Sequence, residues 1–137
     1  MGSNKKEDEK MAKTSADLMM MFTSGSESNI RYQVFAEVAD KEGKPNTAKI
    51  FRAIATSKMF HALSHFRATN FADSTAENLN LAFEEETYDY KNAYPSMVQD
   101  AVEDDALGAR HSLEYGMSIG PVITKLNQQS HEQPRNR

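Results

Sequence analysis

Apolar positions recur along the chain at intervals of three and four residues, and β-branched residues nowhere alternate with polar ones, so the pattern predicts helices throughout. Gly and Pro punctuate it at Gly43 to Pro45, at Pro95 and between Gly116 and Pro121. The first predicted helix runs from Ala16 to Lys41 and stops before Gly43, which suits a left-handed cap. Its stripe is Ile30, Val34 and Val38, with Glu27 three residues ahead on the same side. A second helix follows Pro45 and Asn46 and continues to Thr69. Its inward stripe reads Ile50, Ile54, Lys58, His61 and His65, with Phe51, Ala55, Ala62 and Phe66 beside it.

The third helix opens at Ser74, which with Glu77 has the spacing of a capping box, and it closes at Pro95. Leu79, Ala82, Glu86, Asp89 and Ala93 trace one face at intervals of 3, 4, 3 and 4. The last segment spans Ser96 to Leu126 with a break at Asp104 and Asp105, and Ala106, Ala109, Leu113, Gly116, Gly120 and Ile123 mark its inner face. Pro121 predicts a kink or an early end near Gly120. Residues 1–12 and 127–137 are too polar to bury anything and read as frayed tails, which leaves one domain over residues 13–126. The expected fold is an all-α four-helix bundle.

Composition narrows the chemistry. With no cysteine among 137 residues, thiolate zinc sites, iron–sulfur clusters and disulfide frameworks are excluded. No apolar run approaches the ~20 residues of a membrane span, and the start MGSNKKEDEK has no apolar region behind it, so a cytoplasmic protein without a membrane partner is expected. Twenty acids against 16 bases give a net charge of −4, and no basic stripe is interleaved with aromatics, which argues against nucleic acid as a partner. There is neither a P-loop, a nucleophile elbow nor a dinucleotide fingerprint.

The charged residues on apolar stripes are what remains. Glu27, His61, Glu86 and Asp89 have the chemistry of a metal-binding set, and Lys58, three residues before His61, stands among them. Each has a plainer reading. Ser24 and Glu27 also fit a capping box for a helix starting near Gly25. A single His61 is more simply a hydrogen-bonded core histidine. Glu86 and Asp89 sit where Leu and Ala belong, and burying both unpaired costs several kcal/mol each, so they require a metal, Lys58 or a proton. Met19, Met20 and Met21 read as core or dimer contacts, Tyr88, Tyr90 and Tyr94 as aromatic packing, and His111 as exposed beside Arg110 and Glu114.

Three stretches carry a family resemblance: SESNIRYQVFAEVADKEG (residues 26–43), STAENLNLAFEEETYDYKNAYP (74–95) and HSLEYG (111–116). They resemble the rubrerythrins of the ferritin-like superfamily over about residues 22–126. The resemblance implies a ferritin-like four-helix bundle in which two helix pairs hold a di-iron site. It places Glu27, in Ser26-Glu27-Ser28, on the first-helix ligand, and one E-x-x-H on each of the second and fourth helices. On that template His61 and Glu86 are kept and Asp89 shortens the next carboxylate, while Lys58 stands at the first E-x-x-H glutamate. Gly120 and Ile123 fall where the second glutamate and histidine belong. Relatives commonly form dimers, sometimes exchanging helix pairs, so a homodimer is implied. No cysteine remains for the rubredoxin-type electron donor that many relatives carry.

Charge then limits the cofactor. Glu27, Glu86 and Asp89 give −3 and Lys58 +1, a total of −2 that one divalent ion balances and two do not. Irons ~4 Å apart also need bridging carboxylates to screen their repulsion. Three readings follow. Lys58 holds the carboxylates in a metal-free ion network and the protein serves binding or assembly. Alternatively one iron, manganese or zinc ion binds through His61 and the carboxylates, preserving oxidoreductase chemistry on peroxide or oxygen. Or Gly116 and Gly120 leave a cavity for a small molecule or a partner's side chain.

Overall fold

The computed structural model describes residues 2–131, with side chains over 11–126 and at 128 and 129. The elements are α1 (Gly2–Lys41), α2 (Pro45–Thr69), α3 (Thr75–Tyr88), a π-helical turn (Asp89–Ala93), α4 (Tyr94–Glu103) and α5 (Leu107–His131). Among the described residues there is no strand, and the all-α class expected from the periodicity holds. No helix among them is long and apolar enough to cross a membrane. The chain divides into two compact units, Met1–Ala72 and Asp73–Arg137.

The first unit is an antiparallel hairpin of α1 and α2. Gly43, at φ 72°, ends α1. Its N–H donates to the Asp40 carbonyl at 3.0 Å and the Lys44 N–H to the Ala39 carbonyl at 2.8 Å, the bond pair of a Schellman turn. Pro45 then opens α2, where its missing N–H costs nothing. The helices meet along small residues. Ala48, Ala55, Ala62 and Thr69, spaced every seven positions, are the buried residues of α2. Ala36 and Ala39 cluster with Ala48, and a Cβ on Gly25 would lie 3.2 Å from the Ala62 Cβ. Such close approach lets Asn29 Nδ2 donate to the Ala55 carbonyl at 2.7 Å across the seam.

Larger side chains are displaced to the flanks. Tyr32, Phe35 and Phe51 form an aromatic cluster with ring centroids 5.6–6.0 Å apart, and Phe22 lies on Phe66 at 4.8 Å. The stripe expected to face inward is accordingly on the outside of this hairpin: Ile30 is 61%, Val34 49%, Val38 47% and Ile50 59% exposed. Branched residues at those positions are too wide for a seam whose backbones are set by Ala and Gly. The α1 helix also begins at Gly2, well ahead of Ala16, and so takes in the stretch expected as a polar tail. Lys and Glu, frequent there, are good helix formers that extend a helix already nucleated downstream.

In the second unit Ser74 caps α3 as expected. Its Oγ accepts the Glu77 N–H at 3.3 Å while Glu77 Oε2 accepts the Ser74 N–H at 3.4 Å. Pro95 does not close this helix. A π turn intervenes, the Tyr94 N–H reaching back five residues to the Asp89 carbonyl, and Pro95 enters in the first turn of α4. Widening the backbone just before Pro95 is a recognised way to accommodate a proline without breaking the helix. The real break is at Asp104 and Asp105, as expected. Asp105 has φ 53°, and the Ala106 N–H donates to the Ala101 carbonyl at 2.9 Å. Pro121 likewise lies inside α5, which continues past Leu126 to His131. The rest of the expected C-terminal tail, residues 132–137, lies outside the described residues.

Two substitutions test the hairpin by urea denaturation. Gly43→Ala forces a Cβ into the left-handed region and costs about 1–2 kcal/mol. Ala62→Leu, facing Gly25, overpacks the seam by about 1–3 kcal/mol.

Candidate functional site

The residues singled out from the sequence divide between the units: Glu27, Lys58 and His61 in the first, Glu86, Asp89, Gly120 and Ile123 in the second. The α1 helix passes unbroken through Gly25, so Ser24 and Glu27 are interior residues and the capping alternative falls away. Glu27 is exposed and its Oε2 lies 3.8 Å from Arg31 Nη2, one turn along the same helix. Among the described residues of this unit, Glu27 pairs with that arginine and not with Lys58. Lys58 is half-buried on α2, and its carbonyl oxygen would lie 3.3 Å from a Cβ on Gly25, which puts its backbone at the seam.

His61 is exposed, so it is not a core histidine of the hairpin. One turn further along α2 stands His65, half-buried, with its ring centroid 6.5 Å from that of His61 and the planes inclined at 35°. The sequence had placed His65 on the same stripe without giving it a role. Its i,i+4 relation to His61 was the signal.

In the second unit Glu86 is half-buried on α3. Asp89, the first residue of the π turn, is exposed and lines a shallow hollow with Leu81, Glu84, Glu85 and Tyr88. It therefore sides with the exposed Glu84 and Glu85 rather than with the half-buried Leu79 and Ala82. Among the described residues, no three His, Asp or Glu side chains stand close enough together to hold a metal ion. His111 is exposed beside the Arg110–Glu114 pair, whose Nε to Oε1 distance is 2.8 Å, as expected.

Gly116 and Gly120 do not open a cavity. A Cβ on Gly120 would lie 2.6 Å from the Tyr90 Cβ, and one on Gly116 would lie 2.7 Å from Cζ and Oη of Tyr94. The tyrosines are four apart on the π turn and the start of α4, and the glycines four apart on antiparallel α5, so each ring finds its own gap. The reading of these glycines as a ligand pocket is corrected on that ground. Matched spacing of Tyr90 and Tyr94 with Gly116 and Gly120 is legible in the sequence, though only once the π turn is allowed for. Ile123 is half-buried one turn beyond Gly120.

A family model described as rubrerythrin matches residues 17–116. The chain is similar to Rubrerythrin-2 of Clostridium acetobutylicum, at 26% identity over 137 aligned residues covering 90% of this chain and 74% of the relative. It is also similar to a rubrerythrin of Porphyromonas gingivalis, at 32% identity over 108 residues covering 69% of this chain and 54% of the relative.

The two glycines separate by the atoms that oppose them. Gly120→Ala meets a Cβ fixed to backbone, so strain of about 1–3 kcal/mol exceeds the ~1 kcal/mol gained in helix propensity, and the protein loses stability. Gly116→Ala meets the far end of a rotatable ring and is near neutral. Thermal denaturation of both, with Tyr90→Gly, which alone removes the opposing Cβ, relieving only the Gly120 variant in a double-mutant cycle, checks the interlock.

Proposed function

The chain belongs to the rubrerythrin family, with the all-α, ferritin-like fold, and on that premise we propose that it is a member whose di-iron site has been degraded. In this reading it is metal-free or binds metal weakly, and it acts through binding or assembly. The observation that carries the reading is the packing of Tyr90 on Gly120, because a ligand side chain at position 120 would have to displace a Cβ only 2.6 Å away. Lys58 supports it independently. An ammonium three residues before His61, where the family pattern has a glutamate, supplies positive charge in place of a bridging anion.

A two-iron centre needs anionic bridges between its cations, and the residues here offer Lys58, Gly120 and Ile123 at the positions of two bridges and one imidazole. The donor set does not fit that centre, and no oxygen or peroxide step is assigned to it. An assembly role is supported by apolar residues exposed in the first unit, among them Met20, Met21, Ile30, Val34 and Ile50. The occupant of that surface in this reading is a second copy of the chain, giving a homodimer.

Protein purified without chelator and incubated with ferrous iron under anaerobic conditions should hold less than one equivalent by elemental analysis. Two equivalents per chain would overturn the degraded-site reading. Light scattering at micromolar concentration should give twice the 15.4 kDa chain mass, and a monomer would remove the homodimer while leaving the metal argument untouched.

A further inference from the structure

We propose that His61 and His65 together form a bidentate site for a single borderline transition-metal cation, of the class of Cu²⁺, Ni²⁺ or Zn²⁺, on the first unit alone. The pair needs no carboxylate and no residue beyond α2. Four residues along an α-helix bring a side chain round to within about 40° of its starting direction, so both imidazoles leave the same face. Two rings each bound through nitrogen at about 2 Å to one ion, at ligand angles of about 90–110°, have centroids roughly 4.5–5.2 Å apart. The observed 6.5 Å exceeds that span by roughly 1–2 Å, a gap that rotation of the exposed His61 ring about its side-chain torsions closes. One ring is exposed and the other half-buried on a regular helix, so water can fill the remaining coordination positions and the backbone need not move.

The chemistry of the pair selects the ion. Neutral imidazoles suit Cu²⁺, Ni²⁺ and Zn²⁺, whereas Mg²⁺ and Mn²⁺ favour oxygen donors that this pair lacks. Affinity for Fe²⁺ falls below that for the later metals in the same series, so this site binds zinc or copper weakly, and iron more weakly still. Lys58 opposes binding, because it lies on the same face three residues before His61 and carries positive charge. Its four-carbon stem and partial exposure let the ammonium turn away, which limits the penalty.

The test is isothermal titration of the full chain with zinc chloride, for wild type and for His61→Asn, His65→Asn and His111→Asn, with circular dichroism to verify the fold. One ion should bind wild type and His111→Asn alike. Each of His61→Asn and His65→Asn should weaken binding by about a hundredfold, the loss expected when a second linked contact disappears. The Cu²⁺ electron paramagnetic spectrum should show two nitrogen ligands in wild type and one in His65→Asn. Zinc affinity unchanged by His65→Asn, or lost only with His61→Asn, would overturn the proposal. Neither outcome bears on iron stoichiometry, so this site and the degraded-site reading fail separately.

Discussion

Close approach of helix backbones through residues with little or no side chain is the constraint on which both units depend. In the first, Ala48, Ala55 and Ala62 repeat every seven residues against Gly25, Ala36 and Ala39, and the seam is thin enough for Asn29 to reach the Ala55 carbonyl. In the second, Gly116 and Gly120 admit the rings of Tyr94 and Tyr90 onto the backbone of α5. Small residues bury little area each, so dispersion over well-fitted surfaces, rather than large apolar burial, supplies the cohesion. A consequence follows for the bulky residues. Those that would ordinarily form a core are pushed to the flanks, where they are available for a further layer.

That distribution explains which features could be read from the sequence. Local chemistry was fully legible: the Gly43 cap, the Ser74–Glu77 box and the break at Asp104 and Asp105 each depend on a few adjacent residues. Facing was not. A stripe of Ile and Val at helical spacing marks an apolar side but cannot say which neighbour covers it, and alanine, with its weak hydrophobic signal, hid the seam inside the hairpin. Pro95 misled for a related reason, since its meaning depends on whether the preceding turn can widen, and nothing in residues 89–94 announces a π turn by composition alone.

The candidate site was legible as a set of residues and not as a geometry. His61 and Glu86 stood out by their places on apolar stripes, as did Glu27 and Asp89, but the structure gives Glu27 to Arg31 and sets Asp89 beside Glu84 and Glu85. Side-chain charge explains both outcomes. An exposed carboxylate one turn from an arginine gains a favourable, if small, pairing within its own helix, whereas burial without a fixed partner would cost far more than that pairing returns.

Position 120 and position 58 therefore argue in different ways. In the proposed degraded-site reading, position 58 carries a charge opposite to the glutamate that the family resemblance places there, on a flexible side chain that moves aside at the expense of rotamer freedom. At 120 the difference is steric, with Tyr90 fixed by its own Cβ against the α5 backbone, so no rotation of the ring restores the room a ligand needs. Electrostatic loss of a ligand is reversible by one substitution. The steric interlock requires two, because enlarging Gly120 without shrinking Tyr90 adds strain to the packing that holds α5 in place. Under the proposed reading, the tyrosine–glycine pair is the firmer barrier to a two-metal centre, and the lysine the one more easily undone.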